Sequence, residues 1–343
     1  MNNPVVSAIF LLAILSFPGT ASAWKLRLTP VEDAFAQDLS KQNQSQIPFL
    51  DGASPIHQQL TLAVFDCTPL VDCKTGLEHE DIHMADVQTG VRWNDFPTVW
   101  LTDNSTKGCL GKVSPLDRDK SRCYLMHLVR ASLKNAEKDK GKNSKMSWGG
   151  RGHFGDLQFL HAMSPRNVSA GKNYENLLIW ARFAYEISLG NTYDTNDWVT
   201  VVPGMSTFFR PGTRRIGDLM DYQFGVASRG IALGQLLHIA QDSYAACHTL
   251  RGPDGRIRKF YHYDGQDPVF HAKHDDDKDA LEKVLASPRN PVTFGKALFA
   301  ARAQRLEWEQ VLPIFDAYLK PTDDTVVSER GTGCHQPNPA PEA

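Results

Sequence analysis

The sequence predicts an all-α protein, a single mainly helical domain with long loop inserts. Two observations lead there. Apolar residues recur at spacings of three and four over 57–65, 173–189, 215–246 and 292–318, the period of an amphipathic helix. Strand signals are sparse, and "DWVTVVP" at 197–203 is the best candidate. The 343 residues are enough for a large core, and 41% hydrophobic and 22% charged residues are ordinary globular values.

Taken in order, the first 23 residues carry no charged side chain. Val5 to Phe17 is apolar, then come Pro18-Gly19 and the small-x-small stretch Ala21-Ser22-Ala23. That run is shorter than the roughly 20 residues a membrane span requires. Residues 1–23 are therefore expected to be a cleaved signal peptide, leaving Trp24 first in an exported chain. Residues 24–320 form the expected domain. Within it, 40–55 and 102–123 are rich in Gly, Pro, Asn, Asp and Ser and read as loops. The charged stretch "KNAEKDKGKNSK" at 134–145 reads as an exposed insert. Residues 321–343 form a polar, proline-containing tail.

Export makes disulfides the expected state of Cys67, Cys73, Cys109, Cys123, Cys247 and Cys334. Six cysteines allow fifteen pairings, among which short loops favour Cys67–Cys73 and Cys109–Cys123. With no Cys-x-x-Cys pair, a thiolate zinc site is disfavoured. A formal net charge of -2 argues against duplex nucleic acid as a partner.

The chemistry-bearing residues cluster late in the chain. In "LLHIAQDSYAACH", His238 and Asp242 are spaced to share one helix face, and His248 follows. A carboxylate in so apolar a run is costly unless paired or metal-bound. His271 and Asp275 repeat the spacing in "VFHAKHDDDKDAL", although its acidic run could equally be a solvated surface. Further candidates are His153 and His161 in "RGHFGDLQFLHAM", Asp95 in "GVRWNDFP", and His57, which opens the first amphipathic helix. Imidazole and carboxylate are the nitrogen and oxygen ligands of hydrolytic zinc, and metal-assisted hydrolysis suits an exported protein without nucleotide cofactors.

This array resembles the superfamily of trinuclear zinc phosphoesterases that includes bacterial zinc-dependent phospholipase C and the fungal-type single-strand nucleases. His238, Asp242 and His248 match its His-x3-Asp-x5-His helix, and His271 with Asp275 matches its downstream pair. Asp95 and the "HFGD" element at His153 match its upstream ligands, with His79, Asp81 and His161 as alternatives. Family enzymes begin with a tryptophan whose amine and carbonyl bind metal, the position Trp24 would take. The resemblance implies three Zn2+ ions. One would be held by Asp95, His153, His238 and Asp242, a second by His248, His271 and Asp275, and a third by Trp24, His57 and Asp242. Asp242 would thus bridge two ions, and Asp95 would orient or deprotonate the attacking water.

The long inserts look most like those of exported Gram-negative phospholipase C. The implied activity is hydrolysis of phosphatidylcholine-like lipids at membrane or micelle surfaces, to diacylglycerol and a phosphorylated headgroup. A single-strand nuclease or 3′-nucleotidase is the alternative within the same chemistry. A non-catalytic, zinc-stabilised secreted binding protein is the alternative outside it.

Overall fold

A computed structural model describes residues 56–66, 82, 84–94, 151–153, 155–190, 192–220, 228–264, 266, 271, 278–331 and 334. Trp24, His79, Asp81, Asp95, Asp275, the expected signal peptide, the 134–145 stretch and the expected Cys67–Cys73 and Cys109–Cys123 pairs lie outside them.

Eight α-helices are described: α1 (Ile56–Val64), α2 (Met84–Trp93), α3 (Ala170–Leu189), α4 (Ile216–Leu219), α5 (Ser228–Asp242), α6 (Lys278–Ala286), α7 (Pro291–Ala303) and α8 (Trp308–Leu319). The expected helical class holds as a predominantly helical chain. What it lacked is a small sheet of β1 (Thr249–Arg251), β2 (Ile257–His262) and β3 (Glu329–Arg330), in that order. β1 and β2 are antiparallel, with Thr249 opposite Phe260 and an irregularity between Leu250 and Arg251. β3 joins β2 in parallel, Tyr261 opposite Glu329. The stretch chosen as the best strand is instead a 3₁₀ turn at Val199–Val201. Trp198 beside it makes one isolated bridge to Arg215. The β-branched residues there bury Val199 and Val202 against the helices, a tertiary demand that overrides strand propensity.

α5 is the axis of the molecule. Ile231, Ala232, Leu233, Leu236, Leu237, Ile239 and Ala240 cover its whole circumference and all are buried, as befits a helix apolar on every side. α2 lies against it at very short range because Gly90 and Gly234 carry no side chain. A Cβ at Gly234 would stand 2.1 Å from the Val87 carbonyl oxygen, and one at Gly90 2.1 Å from that of Ile231. Backbone cannot step aside as a side-chain tip can. Gly234→Ala is therefore expected to cost about 3 kcal/mol or more, at the upper end of overpacking penalties. Urea unfolding with an unchanged midpoint would refute this packing. Around the pair, Trp93, Trp180, Phe159, Phe183 and Phe208 fill the core, with Trp93 6.0 Å from Trp180 between ring centres.

Two long helical patterns are broken by tertiary structure. The 292–318 pattern divides into α7 and α8 where Arg305 takes φ 52°, and Leu306 N–H bonds back to the Ala301 carbonyl. The 215–246 pattern contains the short α4 and then α5, which stops at Asp242. Beyond it, Arg251 Nε and Thr249 Oγ1 both donate to the Ser243 carbonyl, withdrawing it from any further helical turn. The chain past Pro321 is polar, as expected of a tail, and its first part is joined to the body. Val327 bridges to Ser169, β3 extends the sheet, and Cys334 forms a disulfide with Cys247. Among the described residues no helix is long and apolar enough to cross a membrane.

Candidate metal centre

The last turn of α5 sets the site. His238 and Asp242 stand one turn apart on one face, both fully buried, with His238 Nε2 2.9 Å from Asp242 Oδ2. The expectation that His248 continues the same helix is corrected. After Asp242 the chain turns through Ala245 N–H to the Asp242 carbonyl and His248 N–H to the Ala245 carbonyl. This reversal brings His248 Nδ1 back to 3.7 Å from Asp242 Oδ2.

Two other elements complete the surroundings of Asp242. α1 delivers His57, whose Nε2 lies 3.1 Å from Asp242 Oδ1. The 3₁₀ turn Gln158–His161 delivers His161, whose Nδ1 lies 3.0 Å from Asp242 Oδ2 and 3.2 Å from His238 Nε2. His57 and His238 stack at 4.4 Å. His153, the expected upstream ligand, sits beside His161 with ring centres 4.4 Å apart, and His161 meets the carboxylate. A second pair lies next to this group, His248 Nε2 and His271 Nε2 facing each other at 3.1 Å. The residues brought together are thus His57, His153, His161, His238, Asp242, His248 and His271.

Hydrogen bonding decides which nitrogens carry protons. Thr61 Oγ1 donates to the His57 carbonyl at 2.8 Å, so its oxygen accepts from Gln241 Nε2 at 3.1 Å. That orients the Gln241 amide, whose Oε1 then accepts from His57 Nδ1–H at 2.7 Å. With its Nδ1 proton given to Gln241, His57 turns Nε2 toward a carboxylate oxygen 3.1 Å away. A cation placed between that nitrogen and the carboxylate oxygen would be held by both. His248 likewise gives its Nδ1 proton to the His161 carbonyl at 2.6 Å, leaving Nε2 as an acceptor. Thr61 and Gln241 were not singled out as site residues from sequence. Their signal was present, one turn after His57 and immediately before Asp242.

Electrostatics point the same way. Burial pushes the His161 and His238 imidazoles down to about 4 against the opposing pull of Asp242, and burial also lowers His248 and His271. These four rings are neutral at pH 7. Burial alone would raise Asp242, but the adjoining His238 and His248 and the N–H groups of His161 and His238 outweigh it and hold the carboxyl well below its ordinary range. The result is a fully buried carboxylate hydrogen-bonded by His161 and His238, a negative charge that a cation among the same nitrogens would neutralise.

The donor set fits one. Asp242 Oδ2, His238 Nε2 and His161 Nδ1 are separated by 2.9, 3.0 and 3.2 Å. Tetrahedral ligands about 2.0–2.1 Å from zinc are separated by about 3.3 Å. His57, His238 and Asp242 form a buried group that could hold a metal ion.

In the metal-free chain the histidine shifts make stability pH-dependent. The unfolded chain binds protons at His161 and His238 near 6.5, the folded chain only near 4. Their contribution is complete above about 6.5 and is lost as pH falls toward 4. Asp242, shifted below 3.8, adds a loss only at still lower pH. Chelated protein is expected to lose on the order of a few kcal/mol between pH 7.5 and 5. Equal urea midpoints at the two pH values would show that the rings are already protonated or exposed.

Compared with protein-family models, curated proteins and solved structures, the chain matches none of them.

Proposed function

We propose that the protein is a secreted zinc-dependent phosphodiesterase, a phospholipase C acting on phosphatidylcholine-like lipids. One observation carries this reading. Both oxygens of the buried Asp242 are engaged by imidazoles, Oδ1 by His57 and Oδ2 by His238 and His161. A carboxylate so placed is suited to bridge two cations, as the resemblance to trinuclear zinc phosphoesterases implies.

His57 and Asp242, with the amine and carbonyl of Trp24, would hold one ion. His238, Asp242 and His161, with His153 next to His161 and with Asp95 as the resemblance implies, would hold another, and His248, His271 and Asp275 the last. Bound divalent zinc would lower the pKa of a water toward about 7 and neutralise phosphate charge in the transition state. The protein's own contribution is orientation and charge. Gln241 keeps the His57 Nε2 lone pair turned to Asp242, burial keeps the rings neutral, and Asp95 would orient or deprotonate the water. The near-neutral net charge and the phospholipase-like inserts favour a lipid over a polynucleotide substrate.

The test is zinc-loaded protein assayed side by side on phosphatidylcholine micelles, single-stranded DNA and a 3′-nucleotide. Phosphorylcholine release is expected to be fastest. Faster cleavage of DNA or nucleotide would transfer the reading to a nuclease. Zinc binding with no turnover of any of the three would leave a zinc-stabilised binding protein.

A further inference from the structure

Gln266 follows β2 and lies outside every site assignment made so far. It is buried, and its two amide ends face opposite partners. Nε2 donates to the Cys247 carbonyl at 2.9 Å and to the His262 carbonyl at 3.1 Å. Carbonyls only accept, so the amide cannot be flipped, and Oε1 must be the atom 2.5 Å from His271 Nδ1. His271 therefore carries its proton on Nδ1 and turns Nε2 toward His248 Nε2, 3.1 Å away. The facing nitrogen of His248 is an acceptor for the reason given above, its Nδ1 proton being spent on the His161 carbonyl.

From this juxtaposition we propose that Gln266 is a positioning residue. It holds His271 as the Nδ1–H tautomer, so that His248 and His271 present two lone pairs to one cation. It does for this pair what Gln241 does for His57 at the other end of the cluster. The anchor is local. Cys247 directly precedes His248 and is tied by its disulfide to Cys334, and His262 ends β2. Gln266 thus couples the orientation of His271 to the backbone that carries His248. Because Gln241 and Gln266 serve different rings, the two cation positions should be tunable separately.

The inference shares the reading of a metal site but does not depend on phosphodiester hydrolysis, and its test uses no substrate. In the full zinc-free chain with 15N-labelled histidine, His271 is expected to show a protonated Nδ1 and an unprotonated Nε2. Protonation on Nε2 overturns the proposal, and this measurement on the wild type stands even if a variant fails to fold. Gln266→Met is expected to mix the His271 tautomers while leaving His57 unchanged, and Gln241→Met to do the reverse. Zinc titration against a competing chelator should show one class of site weakened about 10–100-fold in Gln266→Met, the scale of lost outer hydrogen bonds to metal ligands. Uniform weakening of every site, or unchanged affinity, overturns the positioning role. This pattern in a protein that hydrolyses no phosphodiester would reject the enzymatic reading and leave Gln266 in place.

Discussion

Asp242→Asn is expected to bind markedly less zinc per chain than His238→Ala and to lose essentially all phosphodiesterase activity. The amide keeps the volume of the carboxylate but removes the negative charge that His57, His161, His238 and His248 surround. Both oxygens are engaged, so one substitution weakens the cation positions on either side. His238→Ala removes one nitrogen from one position. A purely structural role makes a different forecast. If His238 and Asp242 merely hydrogen-bond each other within α5, both variants lose stability while zinc content stays that of the wild type. Zinc measured per folded chain by elemental analysis separates the two, and equal content in all three proteins would remove Asp242 from any metal site.

Chelation is expected to abolish hydrolysis and lower the thermal midpoint together. Removing the cations leaves the buried carboxylate among neutral rings and sets the lone pairs of His57, His248 and His271 against acceptors. A ligand present at about 1,000 times its Kd stabilises by about 4 kcal/mol. At about 2.1 cal/mol/K of unfolding entropy per residue, a chain of 343 residues shifts by roughly 1.4 °C per kcal/mol, so the midpoint should fall by about 6 °C per strongly held ion. Readdition of zinc should restore both properties. A protein shown to be zinc-free that retains full activity would sink the metal-dependent reading.

Much of this was legible beforehand, because helical periodicity is a local property. The first helix, expected over 57–65, is observed at Ile56–Val64, and that expected over 173–189 at Ala170–Leu189. His238 and Asp242 could be placed on one face from spacing alone, and that face proved buried. What failed was continuity. Nothing in the 292–318 pattern marks the left-handed Arg305, and nothing in the 236–248 stretch marks the end of α5 at Asp242. Those breaks depend on Leu306 reaching Ala301 and on Arg251 and Thr249 capturing the Ser243 carbonyl.

The sequence by itself determined the helical class, the residue types of the site and the pairing of His238 with Asp242, since each follows from spacing within a turn or two of chain. Only the tertiary structure decided which of His153 and His161 meets the carboxylate, how His248 returns to it, and where Cys334 pairs. His161 and Asp242 are 81 residues apart and Cys247 and Cys334 are 87 apart, and the return of His248 is held by the His161 carbonyl, 87 residues before it. Tertiary structure also decided the tautomers. A histidine's proton goes to whichever nitrogen finds an acceptor, and those acceptors, the Gln241 and Gln266 amides and the His161 carbonyl, are brought into place only by folding.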